Sequence, residues 1–429
     1  MHRKLQICDY RPLVDQLKRH FSSWSSRALS YAGRRQLLST VITGTLNFWF
    51  SSFILPKGCI KAIESLCSRF LWNGNITGRS KAKISWKSVC LPQSEGGLGL
   101  RDLTTWNQTL SLKLLWLLHC EDESLWASWT KRNRIKGESI WSIDEEKQRS
   151  WIWKSILHLR PLAERFIRCE VGNGTSASFW FDNWLPLGPL IKFFGYNGPQ
   201  HIGVPLHAKI RESCPNEGWL LRPARSPKAE QLQILLCTLP LPAQSLAPDI
   251  YKWCVNDLNL AKFPTSLTWE AIRHRGQQAV WASLVWFKGH TPRHAFHMWV
   301  TQQDRLPTRA RLATWDPGID ASCFLCGGCV ETRDHLFLRC SFSEQVWHLV
   351  TKRLGYRPTL FHTWTTFGDW LSSSDSTCPT TLRRLAAHAT TYQLWTERNN
   401  RLHNAASSTP QRIFKDLDRG LMQVWLKHS

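Results

Sequence analysis

One short stretch limits what this chain can fold into more than any other. Its residues follow the pattern C-x2-C-x8-H-x4-C between Cys323 and Cys340. Two thiols separated by two residues can hold one metal ion from both sides of a tight turn. A histidine and a further cysteine then complete a set of soft and borderline ligands, which is what tetrahedral Zn²⁺ accepts. The pattern therefore predicts a Zn²⁺ site formed by Cys323, Cys326, His335 and Cys340.

Other interpretations of this stretch stay open in the sequence. Cys329 lies close enough along the chain to replace one of the four ligands, and Cys323 and Cys326 alone would also suit a redox pair. The residues could also be unrelated members of a chain with 14 cysteines. The adjacent pair Gly327-Gly328 favours the metal site, because the chain has to turn there with its amides pointing inward and no Cβ in the way.

The chain is strongly basic. Its 429 residues include 55 Lys and Arg against 32 Asp and Glu, which is a formal net charge of +23. Such an excess is an electrostatic argument for a polyanionic partner, most simply nucleic acid, either RNA or DNA. A generally basic protein without such a partner is the alternative. The 25 Trp and 19 Phe supply large aromatic contacts, mainly for the core.

The cellular setting follows from the cysteines and the N-terminus. The thiols are scattered, and the start Met-His-Arg-Lys-Leu-Gln has no apolar segment of an export signal. We therefore expect reduced cysteines and a nuclear or cytoplasmic location. No apolar run reaches the ~18 residues that a membrane span needs, so we expect no membrane association. The oligomeric state cannot be read from the sequence.

Apolar residues recur at helical spacing over most of the chain. Pro292 suits the first turn of a helix that runs to about Thr301. Asn173-Gly174, between residues that favour strands, predicts a β-hairpin near 168–182. The expected fold is mainly α with a small β-hairpin-containing middle region, an α+β arrangement, and a helical zinc-binding domain near the C-terminus.

Composition and turn signals divide the chain into four expected regions. Residues 1–75 form a helical segment, and residues 76–248 form a Trp-rich connecting region that ends in a Pro-rich linker at 239–248. Residues 249–360 contain the cysteine cluster, and residues 361–429 form a helical tail.

Several motifs occur in an order that is typical of one family. They are Gly33-Arg-Arg-Gln-Leu37, Glu95-Gly-Gly-Leu-Gly-Leu-Arg-Asp-Leu103, Val171-Gly-Asn-Gly174, Phe179-Trp-Phe-Asp-Asn-Trp184, Thr291-Pro-Arg-His-Ala-Phe-His-Met-Trp299, Arg305-Leu-Pro-Thr308, Leu312-Ala-Thr-Trp315 and Trp395-Thr-Glu-Arg-Asn-Asn400. Together with the cysteine cluster, they resemble the C-terminal region of plant non-LTR (LINE-type) retrotransposon reverse transcriptases, which includes the reverse-transcriptase zinc-binding domain. The first 75 residues resemble the thumb-like segment that follows the polymerase palm.

The resemblance implies the same four ligands, Cys323, Cys326, His335 and Cys340. It also implies a polymerase and an endonuclease in the complete element. Polymerase chemistry needs paired carboxylates for two Mg²⁺ ions, and this chain contains no Asp-Asp dipeptide. The acidic run Glu121-Asp-Glu123 is better explained as caps of a helix than as a metal site. We therefore expect no polymerase or endonuclease activity and assign no catalytic residues.

The leading hypothesis is a zinc-stabilised fragment of a LINE-type reverse transcriptase that binds the element's RNA or target DNA without catalysis. Arginines would contact the phosphates, and affinity would fall steeply with salt. Phe324 and Phe337 are candidates for stacking on bases, with packing around the metal as the alternative. The arginines expected at phosphates are Arg34, Arg35, Arg305, Arg309, Arg311, Arg333 and Arg339.

Two further hypotheses belong to other classes. A zinc-stabilised protein-interaction module would capture a partner in a manner insensitive to salt and nuclease. A decayed retroelement copy would have no selected function.

Overall fold

The structure is a computed structural model that describes residues 6–24, 29–120, 124–215, 218–358 and 360–425. Helices dominate these residues and the strands form a single small sheet, which confirms the mainly α fold with a small β region. None of the helices in these ranges combines the length and the apolar character that crossing a membrane would require.

The helical elements follow one another along the chain with short connections. The α-helices are α1 Arg11–Ser23, α2 Tyr31–Leu37, α3 Thr43–Ser52, α4 Lys57–Asn73, α5 Trp86–Cys90, α6 Leu103–Leu117, α7 Leu125–Thr130, α8 Trp151–Leu157, α9 Arg160–Ala163, α10 Leu190–Phe194, α11 Gly198–Ile202, α12 Ile210–Ser213, α13 Pro227–Cys237, α14 Thr265–Ile272, α15 Ala282–Val285, α16 Pro292–Gln302, α17 Arg309–Ala313, α18 Ser341–Arg353, α19 Trp364–Ser372, α20 Thr380–Asn404 and α21 Pro410–Trp425. Short 3₁₀ turns lie at Ile7–Tyr10, Gln93–Glu95 and Pro242–Gln244, and π turns at Leu38–Ile42, Lys131–Ile135 and His335–Arg339. The strands are β1 Ile167–Glu170, β2 Ile250–Val255 and β3 Leu258–Leu260.

The chain forms two compact units, and both are assembled from separate segments. Unit 1 comprises Met1–Gln16, Thr43–Ile63 and Asp102–His274. Unit 2 comprises Leu17–Ile42, Glu64–Arg101 and Arg275–Ser429. Neither unit coincides with one of the four regions expected from the sequence, and that division stays a prediction.

The core of unit 1 is built on aromatic side chains around the sheet. Trp253 of β2 is fully buried, stacks on Phe166 and meets Trp116 of α6 edge-on. The Pro-rich run at 239–248 lies within this unit: Pro242 is buried and its carbonyl oxygen accepts a hydrogen bond of 3.0 Å from Arg211. The run expected to be a linker is therefore packed against its own unit at Leu239 and Pro242, whereas residues 246–248 are exposed.

The hairpin predicted near 168–182 is not formed. Strand β1 pairs antiparallel with β2, with Ile167 opposite Trp253, and β2 pairs with β3. The hairpin of this sheet therefore lies at 250–260. The prediction failed because the turn residues around Asn173-Gly174 are held by a side chain from a distant part of the sequence.

That side chain is Asp249. Its carboxylate accepts hydrogen bonds from the backbone N–H groups of Gly172, Gly174, Ser176 and Ala177, at 2.8–3.0 Å. We call residues 171–177 the glycine loop. The carboxylate thus satisfies four donors of the loop, and the carbonyls of Gly174 and Ala177 accept from the N–H groups of Arg211 and Ile210. The loop is therefore held by residues distant in sequence and does not fold back on itself as a hairpin.

In unit 2, the long helix α20 packs against α16, α18, α19 and α21. The predicted helix that begins at Pro292 is α16, and its side chains Phe296, Trp299 and Val300 are buried as expected. Trp299 is fixed further by a hydrogen bond of 2.8 Å from its indole Nε1 to the carbonyl oxygen of Gly96. This packing gives the cysteine cluster a rigid helical support.

Candidate metal centre

The first ligand pair lies in a tight reverse turn. The backbone N–H of Cys323 donates to the carbonyl of Cys329 at 2.8 Å, and Ser322 forms an isolated antiparallel bridge with Val330. At the tip, the N–H of Gly327 donates to the carbonyl of Cys323 at 2.7 Å, and Gly327 has a φ of +76°. Glycine adopts this left-handed conformation without strain, which explains why it directly follows the second cysteine.

The second pair flanks a π turn, His335–Arg339. The N–H of Cys340 donates to the carbonyl of His335 at 2.8 Å, so the turn closes over five residues. In an α-helix, residues five apart would lie about 140° apart around the axis. The wider π turn brings them nearer to the same side, and such turns are frequent at functional sites. The x4 spacing between histidine and cysteine is therefore compatible with a shared ligand.

The four predicted ligands lie together. Their ligand atoms are all within 4.8 Å of one another, with 3.9 Å between the Sγ atoms of Cys323 and Cys340 and 3.3 Å between Cys326 Sγ and His335 Nε2. Zn–S bonds of about 2.3 Å and Zn–N bonds of about 2.1 Å place tetrahedral ligand atoms about 3.5–3.8 Å apart. The donor set, three sulfurs and one imidazole nitrogen, thus fits Zn²⁺ in both chemistry and size.

The pKa values of the ligand side chains are shifted in different directions. The thiol of Cys323 donates to the sulfur of Cys340, and this hydrogen bond, followed by burial, raises the pKa of Cys323. The same bond lowers the pKa of Cys340. Hydrogen bonds from the backbone N–H groups of Phe342 and Ser343 lower this pKa further. Burial, followed by the charge of Arg339, lowers the pKa of His335. A neutral imidazole and a favoured thiolate are the forms that bind a metal ion.

A buried carboxylate supports the turn from within. Glu331 has no exposed surface, and it accepts hydrogen bonds from the backbone N–H of Arg309 at 2.9 Å and of Phe324 at 3.3 Å. Arg398 of α20 completes the arrangement with a hydrogen bond of 2.8 Å to Oε1. Glu331 therefore joins α17, the first ligand pair and α20 at one point.

A second arginine of α20 also reaches this region, which we call the ligand loop, residues 321–340. Arg401 donates to the carbonyl oxygen of Leu325 at 2.8 Å, and its other side is paired with Glu397 at 2.8 Å. Spacing alone does not reveal these roles. The motif Trp395-Thr-Glu-Arg-Asn-Asn400 contains Arg398 and is directly followed by Arg401, but the motif alone indicates no role for either arginine.

The arginines predicted at phosphates fall into two groups. Arg305 and Arg339 are exposed, and among the described residues their side chains have no hydrogen-bond or ion-pair partner. Arg339 lies close enough to His335 to affect its titration. These two are free to contact a phosphate.

The other five are engaged within unit 2. Arg34 and Arg35 donate to the carbonyls of Leu71 and Leu98, at 3.3 and 2.9 Å, and burial lowers the pKa of each. Arg309 pairs with Asp320 and Arg333 with Asp334, and Arg311 donates to the carbonyl of Asp304. Each of them therefore has a structural role, whatever else it contacts.

The aromatic candidates differ in the same way. Phe337 is fully buried, so it cannot stack on a base, and the packing alternative holds for it. Phe324 is half-buried, with the guanidinium of Arg309 4.4 Å from its ring centre. Cys329 is exposed and is not part of the four-residue cluster. The run Glu121-Asp-Glu123, predicted as helix caps, lies outside the described residues.

Trp315 was not among the predicted site residues. Its side chain is 68% exposed, and the guanidinium of Arg311 lies 5.3 Å from its ring centre. Trp315 belongs to the motif Leu312-Ala-Thr-Trp315, but a sequence motif does not distinguish an exposed tryptophan from a buried one.

Comparisons with known proteins agree with the geometry. Residues 263–347 match the family described as zinc-binding in reverse transcriptase. A protein of Arabidopsis thaliana whose name describes it as a ribonuclease H protein is 22% identical over 81% of this chain and 56% of its own length. An uncharacterized mitochondrial protein of the same plant is 28% identical over 33% of this chain and 94% of its own length. The chain thus spans little more than half the length of the first relative. The resemblance that the motifs predicted is confirmed.

Proposed function

We propose that this chain, which is related to the reverse transcriptases of retrotransposons, is a zinc-stabilised, non-catalytic nucleic-acid-binding part of a LINE-type enzyme. The observation that carries this function is a metal centre next to helix α17 and the turn that follows it, where an exposed tryptophan lies beside an arginine. Zn²⁺ would be held by Cys323, Cys326, His335 and Cys340, and its task there is structural, because all four positions are protein ligands.

The metal centre fixes helix α17 in place. The N–H of Arg309 and that of Ala310 donate to the side chain and the main chain of Glu331, which lies between the two ligand pairs. The turn after α17 then presents Trp315 with Arg311 beside it, and Arg311 donates to the carbonyl of Asp304, next to Arg305. An exposed aromatic ring beside cationic side chains is the arrangement that binds single strands by stacking and charge.

Two exposed arginines without a partner in the described part of the chain would supply the electrostatic attraction for nucleic acid. Arg305 and Arg339 are exposed, and the chain as a whole carries a net charge of +23. Contacts of this kind with phosphates release counterions, so log affinity for a single strand should fall with log salt concentration by about 0.7 per contact. RNA and DNA share this chemistry, and we expect binding to single strands of both.

We assign no hydrolysis to this chain, although one relative is named for ribonuclease H. Among the described residues, the Cys323–Cys340 cluster is the one group of three or more His, Cys, Asp or Glu side chains arranged to hold a metal ion. Phosphodiester hydrolysis by two metals needs clustered carboxylates. Incubation of an RNA/DNA hybrid with the full chain and Mg²⁺ tests this point, and cleavage that purifies with the protein would contradict it.

Zinc stoichiometry of the purified full chain tests the metal centre. We expect one Zn²⁺ per chain by elemental analysis and loss of the metal in Cys326→Ser. The matched control is Cys329→Ser, which changes an exposed cysteine three residues away and should keep the metal. Full zinc content in Cys326→Ser, or its loss in Cys329→Ser, would show that the ligand set is wrong.

Fluorescence anisotropy with labelled single-stranded RNA and DNA tests the surface. Arg305→Gln with Arg339→Gln should reduce the magnitude of the slope of log affinity against log salt by about 1.4, which is about 0.7 for each phosphate contact on a single strand. The control, Arg149→Gln with Arg225→Gln, makes the same charge change at two exposed arginines of unit 1 and should leave the slope within error.

Stacking is tested in the same assay. Trp315→Ala should weaken binding by at least ~5-fold, because stacking on a base contributes about 1–3 kcal/mol. Trp129 of unit 1 is a matched control, since it is 55% exposed and has Arg134 at 5.7 Å from its ring. Equal effects of Trp315→Ala and Trp129→Ala would reject the assigned surface, and no binding of RNA or DNA at ~50 mM salt would reject the function.

A further inference from the structure

A cavity of about 520 Å³ lies in unit 2, and the metal centre takes no part in it. Helices α16 and α20 form its sides, with residues from the start of α2 and the end of α4. Its volume falls within the ~300–1,000 Å³ that is usual for small-molecule sites. None of the four ligands, the exposed arginines Arg305 and Arg339, or Trp315 lines it.

The lining of the cavity is cationic. Arg34, Lys83 and Arg293 contribute to it, and no Asp or Glu is among its lining residues. Lys83 has no ion pair with any carboxylate in the described part of the chain, and burial lowers its pKa. A half-buried ammonium group without an acidic partner is costly, and an anion in the cavity would offset that cost.

Aromatic rings form the remaining walls. Arg34 lies 5.0 Å from the ring centre of Tyr31, and Arg293 lies 4.8 Å from that of Tyr392. The buried ring of Trp72 also faces the cavity, and its indole nitrogen has no hydrogen-bond partner among the described residues. The ring of Tyr31 is already stacked on Phe296, and that of Trp72 lies nearly parallel to Trp299. The half-buried rings of Tyr392 and Trp395, which also line the cavity, are therefore the surfaces for a flat heterocycle beside the positive charge.

A buried histidine supplies hydrogen bonds that nothing in the described structure uses. His297 is 8% exposed, and neither of its ring nitrogens has a hydrogen-bond partner in the described part of the chain. Burial, and then the charge of Lys83, lower its pKa to about 3, so the imidazole is neutral at pH 7. It then has one N–H donor and one acceptor nitrogen. Buried polar groups without partners are rare in proteins and call for an explanation.

Helical periodicity brings these groups to one place. Arg293 and His297 are four residues apart on α16, and Tyr392, Trp395 and Asn399 follow the i, i+3, i+7 pattern on α20. All five line the cavity. Two facing helices thus present charge, aromatic surface and polar groups to the same space.

We propose that this cavity binds one nucleotide unit, with its phosphate at Lys83 and Arg293, its base against the rings of Tyr392 and Trp395, and a base edge at His297 and Asn399. The unit is either a free nucleoside phosphate or the terminal nucleotide of a single strand. This inference goes beyond the nucleic-acid surface at Trp315, because it uses other residues and needs no contact with that surface.

Isothermal titration of the full chain with adenosine 5′-monophosphate tests the site. We expect one molecule bound per chain, with adenosine and inorganic phosphate each at least ~10-fold weaker, because each lacks half of the recognised group. Absence of binding at millimolar adenosine 5′-monophosphate would overturn the assignment. Equal affinity for inorganic phosphate alone would also overturn it, since the site would then be a simple anion site.

Variants separate recognition from folding. Lys83→Gln should weaken nucleotide binding at least ~10-fold, whereas Lys81→Gln, the same change at an exposed lysine two residues earlier, should not. His297→Phe keeps a ring of similar shape and removes both nitrogens, so it should abolish binding while the melting temperature is kept or raised. Unchanged binding in Lys83→Gln and in His297→Phe would contradict the proposal.

Competition identifies the source of the nucleotide. An unlabelled eight-nucleotide single strand that displaces adenosine 5′-monophosphate, and loses this ability in Lys83→Gln, assigns the site to a strand end. A strand that does not displace it assigns the site to a free nucleotide. The cavity and the nucleic-acid surface at Trp315 can be rejected separately. If Arg305→Gln with Arg339→Gln keeps both nucleotide binding and normal strand binding, only the surface is rejected.

Discussion

Two loops of this protein are each held by one carboxylate, and they differ in what else they need. In the glycine loop, Asp249 accepts four backbone N–H groups, and the carbonyls of Gly174 and Ala177 accept from the N–H groups of Arg211 and Ile210. In the ligand loop, Glu331 accepts two N–H groups and pairs with Arg398, and four metal-binding side chains converge beside it. The first loop is complete in the polypeptide alone. The second is built around thiols, which satisfy little of the backbone and gain most from a metal ion.

Removal of zinc should separate the two loops most strongly. A structural ion present at 1,000 times its Kd stabilises the folded state by about 4 kcal/mol, which corresponds to roughly 8–16 °C in the melting temperature of a domain of this size. With a strong chelator, we expect this loss together with faster hydrogen exchange in peptides covering 321–340. Exchange in 171–177 should stay unchanged. If the chelator changed hydrogen exchange in neither loop, the ligand loop would not depend on a metal.

The buried pair is the next point of difference. Arg398→Met leaves the carboxylate of Glu331 buried without its cation, which should cost about 3–5 kcal/mol in urea unfolding. Arg419→Met is the matched control, because Arg419 pairs with Asp416 at the surface, with side chains 74% and 54% exposed. Such pairs contribute at most about 1 kcal/mol. A similar small cost in both variants would mean that α20 does not support the ligand loop.

Asp249→Asn should affect only the glycine loop. The amide keeps one acceptor oxygen but loses the charge, and hydrogen bonds to charged groups contribute about 1.5–3 kcal/mol, so we expect a cost of about 2 kcal/mol and unchanged zinc content. Glu230→Gln, at an exposed position of unit 1, should stay within ~0.5 kcal/mol.

The pH dependence of the stability provides an independent test of the role of Asp249. Burial alone would raise the pKa of Asp249, but the four backbone donors outweigh it and lower the pKa below its usual range. A lowered pKa in the folded state contributes stability above the unfolded value of about 3.9, and this stability is lost as the pH falls through the folded value. The difference between the wild-type protein and Asp249→Asn should therefore shrink below about pH 4. A constant difference would show that the carboxylate is not the cause.

The same two loops show what the sequence can and cannot predict. Ligand chemistry is specific, so four side chains at workable spacing were enough to predict the residues that the structure brings together in the ligand loop. The helix from Pro292 was also predictable, because proline and periodicity act locally. The predicted hairpin at Asn173-Gly174 was wrong, because the carboxylate that holds those residues follows some 75 positions later.

Charge, too, is only partly informative at the level of the sequence. Net charge indicated a polyanionic partner, but it could not show that Arg34 and Arg35 donate to main-chain carbonyls of their own unit, or that Arg398 is buried against Glu331. Whether an arginine is free depends on tertiary contacts. The sequence also could not predict that Trp315 is exposed or that His297 lacks a hydrogen-bond partner among the described residues, because burial and hydrogen bonding depend on the packed chain.

The last comparison concerns one glycine of each loop, and the smallest expected cost is that of Gly327→Ala. Gly327 has a φ of +76°, and a Cβ added there would meet nothing within 4 Å, so Gly327→Ala should cost only the left-handed strain of about 1–2 kcal/mol. Gly174 has a φ of +69°, and its Cβ would lie 2.8 Å from the backbone nitrogen of Arg211, so Gly174→Ala should cost more than Gly327→Ala. Urea unfolding measures both, and zinc content should stay at one ion per chain in each. The reverse order would mean that the ligand loop, and not the glycine loop, has the more tightly packed turn. Metal ligands would then stabilise a backbone that is already fixed by its neighbours.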